Sequence, residues 1–192
     1  KNVDGFIQTV TQVEPVSFPD YPGFTTGQIS RPQNGGKGVI NGYETGVQSF
    51  LDFLPAPLDG LGLQANYTRV DSHTPAAIAG TSVPLVGLSK SSYNLVAYYE
   101  KGPVRGRIAY SYRNTYVDTI AGIGSGNLPI YARPFGSLDA SIGYKINSHV
   151  NVTFDAANLL RSQFGNYFGN TDRPRFYSIY DRRYGVVLRL TY

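Results

Sequence analysis

The residues of this chain that could do chemistry fall into two groups of aromatic and charged side chains. Tyr131 and Arg133 form the first. Tyr167, Phe168, Asp172, Arg173, Arg175 and Tyr177 form the second. Aromatic rings offer flat faces to sugars or to catecholate-type chelates. A guanidinium grips a carboxylate or phosphate through two parallel hydrogen bonds. Both groups sit in segments rich in turn-forming residues, and binding residues concentrate in such loops. The same residues equally suit a loop packed on itself, so both readings stand.

No other residues assemble into a reaction centre. His73 and His149 have no carboxylate at a useful spacing and read as surface histidines. There is no Cys, so neither a disulfide nor a thiolate metal site can form. Gly122, Gly124 and Gly126 imitate a phosphate loop but lack the strand-to-helix setting that such a loop requires. The glycosylation-like triplets at Asn66 and Asn151 lie inside strand patterns. No catalytic residue, metal or cofactor is expected, and the chain does not read as an enzyme. Its net charge of +4 comes from scattered basic residues, which is no footprint for nucleic acid.

A second set of charges is tied to a period of two. Arg105, Arg107 and Arg113 share a strand face with Ser111, and Glu44, Asp139, Lys145, Asp155 and Arg189 fall on equivalent faces. They can line a path or contact a neighbouring domain, or simply face water. Glu100 is placed to pair with Arg105 across a turn.

The elements that carry these residues are strands. Only 16% of residues are charged, while Tyr (16), Phe (10) and Gly (22) are abundant, which favours strands and turns over helices. No run of about 18 apolar residues exists to form a membrane helix. Residues 1–20 carry no signal-peptide pattern, and the missing initiator Met fits a processed chain or a fragment. Residues 184–192 alternate most cleanly, with Tyr184, Val186, Leu188, Leu190 and Tyr192 on one face and Gly185, Val187, Arg189 and Thr191 on the other. An amphipathic strand of about 9–11 residues is the unit of a membrane-spanning barrel, which would make Leu188 a lipid-facing midpoint.

The pattern recurs at residues 1–10, 28–54, 61–71, 91–100, 104–116, 135–146 and 150–159, giving about eight strands. In the second of these, Tyr43, Thr45, Val47, Ser49, Leu51 and Phe53 share a face. The connections alternate. Residues 11–27, 72–87, 117–134 and 160–183 read as long loops, and residues 55–60, 101–103 and 147–149 as short turns. Membrane barrels alternate in this way, with short periplasmic turns and long extracellular loops. Tyrosines gather near strand ends. Tyr67, Tyr93, Tyr112 and Tyr184 lie toward the long loops, and Tyr98, Tyr99, Tyr144 and Tyr192 toward the turns, as two interfacial girdles would. Ordinary strand propensity also favours Tyr. The expected fold is all-β, an antiparallel transmembrane β-barrel. A soluble lipocalin-like barrel would invert the two faces.

Several stretches resemble TonB-dependent outer-membrane receptors. Asn34 to Glu44 (NGGKGVINGYE) and Leu58 to Thr68 (LDGLGLQANYT) are similar to consecutive strands in the C-terminal third of those barrels. Tyr98-Tyr99-Glu100, Leu138-Asp139-Ala140-Ser141, Asn158-Leu159 and Arg183-Tyr184-Gly185 match later positions, in order, across nearly the whole chain. The style is closest to proteobacterial oligosaccharide-type receptors. The resemblance implies a 22-stranded barrel with a plugged lumen, of which residues 1–192 would be the C-terminal portion without the plug domain. It implies TonB-dependent uptake of a scarce small-molecule nutrient, an oligosaccharide or a ferric siderophore, in the cell outer membrane. The implied partners are outer-membrane lipid, the TonB complex through the plug, and the barrel assembly machinery, with Tyr184, Val186, Leu188, Leu190 and Tyr192 as its C-terminal signal. The alternative is a self-contained small outer-membrane barrel with a structural or adhesive role.

Overall fold

A computed structural model describes residues 2–5, 7–34, 36–75, 82–120 and 128–192. Gly35 and the triplet Gly122, Gly124 and Gly126 lie outside the described residues. The strands are, in order, β1 (Asn2–Asp4), β2 (Ile7–Pro15), β3 (Thr26–Asn34), β4 (Lys37–Phe50), β5 (Leu61–Pro75), β6 (Ser82–Val83), β7 (Ser91–Lys101), β8 (Val104–Arg113), β9 (Tyr116–Thr119), β10 (Ile130–Ala132), β11 (Phe135–Lys145), β12 (Val150–Ala157), β13 (Gln163–Phe168), β14 (Pro174–Ile179) and β15 (Arg183–Leu190). A 3-10 turn at Leu58–Gly60 precedes β5.

The main sheet runs β1-β4-β5-β7-β8-β11-β12-β15, and the short β6 attaches to β5. Every pairing along this path is antiparallel. Six of these, β5, β7, β8, β11, β12 and β15, fall on expected strands, with β5 running on to Pro75; the strand expected over 1–10 is split between β1 and β2, and the one expected over 28–54 between β3 and β4. Among the described residues β1 and β15 do not pair, so the sheet is an open wall rather than a closed cylinder.

Period-two alternation gives this wall two unlike faces. On one face Ala97, Ile108 and Ala140 stand side by side, as do Tyr144, Val152 and Leu188. Large apolar groups here are open to the surroundings, with Leu63 50%, Ile142 56% and Val186 70% exposed. On the opposite face Tyr98, Arg107, Ser141 and Asp155 form one row. A cavity of about 570 Å³ on that face reaches from Gln64 on β5 to Arg189 on β15, so the polar face is the concave one. A soluble barrel requires the reverse arrangement. The nine residues from Val104 to Tyr112 span about 27 Å along β8 at about 3.4 Å each. At a tilt of 35–45° that is about 20 Å of bilayer depth, close to the apolar band of an outer-membrane wall.

The three short connections, at 51–60, 102–103 and 146–149, share one end of the wall. Hydrogen bonds from the His149 and Val150 amides to Asn147 Oδ1 (2.8 and 2.9 Å) close the last of them. Lys101 and Asp59 pair across that end. The Lys101 hydrogen bond holds the Asp59 carboxyl below the usual carboxylate range.

Several expectations are corrected. Residues 11–27 are not simply a loop: β2 and β3 pair throughout, from Ile7↔Asn34 to Pro15↔Thr26, and only 16–25 connects them. Pro15 sits at the strand end and Pro19 and Pro22 in the connection, while Pro32 lies within β3 opposite Thr9, in a two-stranded sheet where each strand is an edge that tolerates proline. β4 stops at Phe50, so Leu51 and Phe53 belong to the turn. Tyr116 begins β9 instead of ending β8. β15 ends at Leu190, which puts Thr191 and Tyr192 outside it, although the Thr191 amide still reaches His149 O (2.9 Å). The outward-facing midpoint of β15 is therefore Val186, and Leu188 lies nearer the turn end. Tyr98 leaves the turn-side girdle: strand parity turns it to the concave face, where Phe50 meets it edge-on at 5.2 Å. Glu100 and Arg105 stand opposite each other but form no ion pair, both being exposed, where such a pair gains little. Of the four loop-side tyrosines, Tyr67, Tyr93 and Tyr112 stand in one row, with Tyr93 stacked on Tyr112 at 4.9 Å, while Tyr184 lies opposite Ala156 and stacks on Phe154 at 6.2 Å.

Candidate functional site

The long connections at 114–134 and 158–182 do not stay separate. They build a second sheet in the order β14-β13-β10-β9. Its packing is tighter than that of the wall. Val117, Ile130, Ala132 and Asn166 are almost wholly buried there, each 4% exposed or less. The sheet is fastened to the wall at both ends of the second connection by Asn158. This residue takes a left-handed conformation (φ 55°), which Asn tolerates better than most. Its amide donates to Asp139 Oδ1 on β11 (2.8 Å). Its Nδ2 donates to Tyr180 O (2.8 Å), and its Oδ1 accepts from the Ser162 amide (2.8 Å). Arg182 Nε adds a bond to Leu159 O (2.9 Å).

The second sheet brings together half of the residues picked out as candidates. Tyr131 on β10 stands directly opposite Tyr167 on β13, and their rings stack at 5.5 Å with planes 21° apart. Arg133 follows β10, and its amide donates to Gly165 O (2.8 Å). Its guanidinium lies 5.2 Å from the Tyr167 ring and 5.1 Å from the Tyr177 ring, and donates to Thr171 O (2.8 Å). Arg133 Nε is buried without a hydrogen-bond partner. Tyr177 reaches this position because Gly165 is its cross-strand partner: a Cβ at 165 would sit 2.7 Å from the Tyr177 ring. The arrangement is a cationic group held between two aromatic faces, with a third ring stacked behind. It can receive a planar or sugar ring on the Tyr177 side, where 51% of that residue is exposed.

The remaining candidates are placed elsewhere. Phe168 pairs opposite Ile130 at the end of β13, and its amide donates to Arg173 O (2.9 Å). Asp172 and Arg173 occupy the exposed β13–β14 turn, where Asn170 Oδ1 accepts from the Asp172 amide (3.2 Å). Arg175 leans over Phe176 at 5.8 Å. Arg113 is a tie to the neighbouring loop rather than part of an open charged face. It bonds Ser89 Oγ (2.6 Å) and Gly87 O and covers the Tyr116 ring at 3.8 Å.

Two cavities border this sheet. One of about 320 Å³ lies between Tyr131, Val117, His73 and the Lys90–Asp71 pair (3.4 Å). The other, of about 540 Å³, is lined by Phe135, Phe164 and Tyr180 with Arg183 and Asp181. Phe135 and Tyr180 meet edge-on at 6.3 Å. Sequence reasoning passed over these aromatic residues. Only the Asn158-Leu159 match marked the place, because Asn158 is one of the residues lining this cavity.

A family model described as TonB dependent receptor-like, beta-barrel, matches residues 1–159. No curated protein matches, and no solved structure does.

Proposed function

The chain belongs to the TonB-dependent receptor β-barrel family, and on that premise we propose that it is the C-terminal wall of a nutrient receptor in the cell outer membrane. Members of this family are outer-membrane transporters energised through TonB, not enzymes. The finer reading is that the long-loop end binds a scarce small molecule, an oligosaccharide or a ferric siderophore. The remainder of the barrel and a plug would complete the receptor, with TonB acting through the plug. The barrel assembly machinery would read the C-terminal pattern of Tyr184, Val186, Leu188, Leu190 and Tyr192. The observation that carries the ligand site is the Arg133 guanidinium set between the Tyr167 and Tyr177 rings at the end of the wall where the long connections lie.

Uptake by intact cells tests this reading. Cells lacking the protein would be complemented with it, with Arg133→Ala or with Tyr167→Ala, each with and without TonB. Candidate oligosaccharides and ferric siderophores would be offered in turn. The reading expects TonB-dependent accumulation of one of them, reduced by both substitutions while the protein still reaches the outer membrane. Uptake that ignores TonB, or that ignores both substitutions, contradicts it.

A further inference from the structure

β7 begins at Ser91 and β8 ends at Arg113, while β5 runs on to Pro75. Residues 84–90 cross the notch that this leaves above β7 and β8. On one side the crossing is bonded to β5. The Val70 amide donates to Lys90 O (2.9 Å), and the Leu85 amide donates to Ser72 Oγ (3.0 Å). On the other side the Gly87 amide donates to Val117 O on β9 (2.8 Å). Gly87 is left-handed (φ 77°), a conformation that favours Gly. Arg113 locks the crossing in place. Its Nε donates to Ser89 Oγ (2.6 Å), an Nη donates to Gly87 O, and its guanidinium covers the Tyr116 ring at 3.8 Å. Ser89 Oγ in turn donates to Asn114 O (2.9 Å). Tyr116 and Val117 pair opposite Ala132 and Tyr131 on β10. One guanidinium thus fixes β9, the strand against which Tyr131 is paired. The cavity of about 320 Å³ lies between the crossing and Tyr131, because Leu88 and Lys90 line it too. The Tyr131 ring therefore has room to swing off Tyr167 once β9 is released. Each of these bonds is made within the chain, and none depends on an open lumen.

We propose that Arg113 is a positioning residue of the ligand site: by pinning residues 84–90 to β9 it holds the Tyr131 ring stacked on Tyr167, beside Arg133. This inference rests on the ligand-site reading above and adds to it a residue that touches no ligand. The role needs a guanidinium. Its planar fork serves two acceptors while its face lies on the Tyr116 ring, and an ammonium group has neither the fork nor the face.

Fluorine NMR of the full-length receptor in lipid nanodiscs tests this, with 3-fluorotyrosine placed at 131 or, as a control on the wall, at 144. Tyr167→Ala marks where the 131 line falls without the stacked ring. The proposal expects Arg113→Gln and Arg113→Lys to move the 131 line toward that position and to leave the 144 line in place. A 131 line that stays put in Arg113→Gln overturns it. Joint movement of both lines overturns it too, because Arg113 would then serve the whole wall. The uptake assay above separates this inference from the reading it rests on. Arg113→Gln should raise the half-saturating concentration about tenfold at an unchanged maximal rate and add little to the effect of Arg133→Ala. An effect of Arg133→Ala that Arg113→Gln does not share overturns the positioning role alone. If Arg133→Ala and Tyr167→Ala both leave uptake unchanged, the ligand site fails and this inference fails with it.

Discussion

Ile108→Arg is the sharpest single perturbation of the wall. Ile108 lies at the centre of the outward-facing positions of β8, flanked across the sheet by Ala97 and Ala140. These small neighbours leave it 45% exposed on the apolar face. It lies four residue steps from each end of the Val104–Tyr112 stretch, which is about 14 Å along the strand and about 10 Å along the bilayer normal at the expected tilt. A guanidinium at that depth cannot readily snorkel to either interface. The expected cost is about 2–4 kcal/mol, which lowers the folding equilibrium constant about 30- to 700-fold at a factor of ten per 1.4 kcal/mol. Ala109→Arg provides the contrast. Its side chain would enter the concave face beside Asp139 and should cost about 1 kcal/mol or less, as substitutions away from packed features do. The assay is denaturant unfolding of the full-length protein in lipid vesicles, followed by circular dichroism and heat-modifiable migration. Equal costs for the two substitutions, or a larger cost for Ala109→Arg, would refute the assignment of the faces.

Three further outcomes follow from the geometry. Arg133→Gln should lose two cation–π contacts of about 0.5–1 kcal/mol each and weaken ligand binding about tenfold, as read by a binding isotherm on the intact receptor, with the wall still resistant to detergent. Asn158→Ala removes the hydrogen bonds to Tyr180 O and the Ser162 amide. It should cost about 1–3 kcal/mol and expose residues 158–183 to proteolytic nicking before the wall unfolds. The Asp59–Lys101 contact makes an acid-sensitive contribution. Because the Asp59 carboxyl is held down by Lys101, its contribution is fully present above the unfolded carboxylate value and is lost as pH falls through the lower folded value. The unfolding midpoint should therefore decline below about pH 4, and Asp59→Asn should flatten that decline.

The wall was legible in the sequence because its two faces meet different surroundings. Across β7, β8, β11 and β12 the outward positions are apolar or Gly apart from Ser91 and Lys101 at the two ends of β7, and the inward ones are mostly polar, so composition sets the period. The β2–β3 hairpin had no such contrast. Its described side chains are mostly exposed, including Ile7 at 75% and Val13 at 63%, so neither face selects a residue type. The second sheet was hidden for another reason. Its strands are three to six residues long, and its central pairing, Tyr131↔Tyr167, joins residues far apart in the chain. Residue chemistry picked out Tyr131, Arg133, Tyr167 and Tyr177 correctly as companions in kind. It could not show that β10 and β13 pair and so bring them into contact. Asn158 stood out only as part of a short motif, since its clamp depends on four segments that meet only when the sheet forms. Tyr98 shows the limit of position without parity: its place near a strand end suited a girdle, but its even number in β7 sends it inward.

The central claim is that one face of this wall meets lipid and the other an aqueous lumen. A nitroxide scan of β8, one cysteine at a time from 104 to 113 in the full-length protein in lipid vesicles, tests it most directly. Collision with oxygen reports lipid, and collision with a polar nickel chelate reports water. The account predicts two out-of-phase oscillations of period two, with oxygen maxima at 106, 108, 110 and 112 and chelate maxima at 105, 107, 109 and 111. Oscillations in the opposite phase, or chelate access at every position, would contradict it.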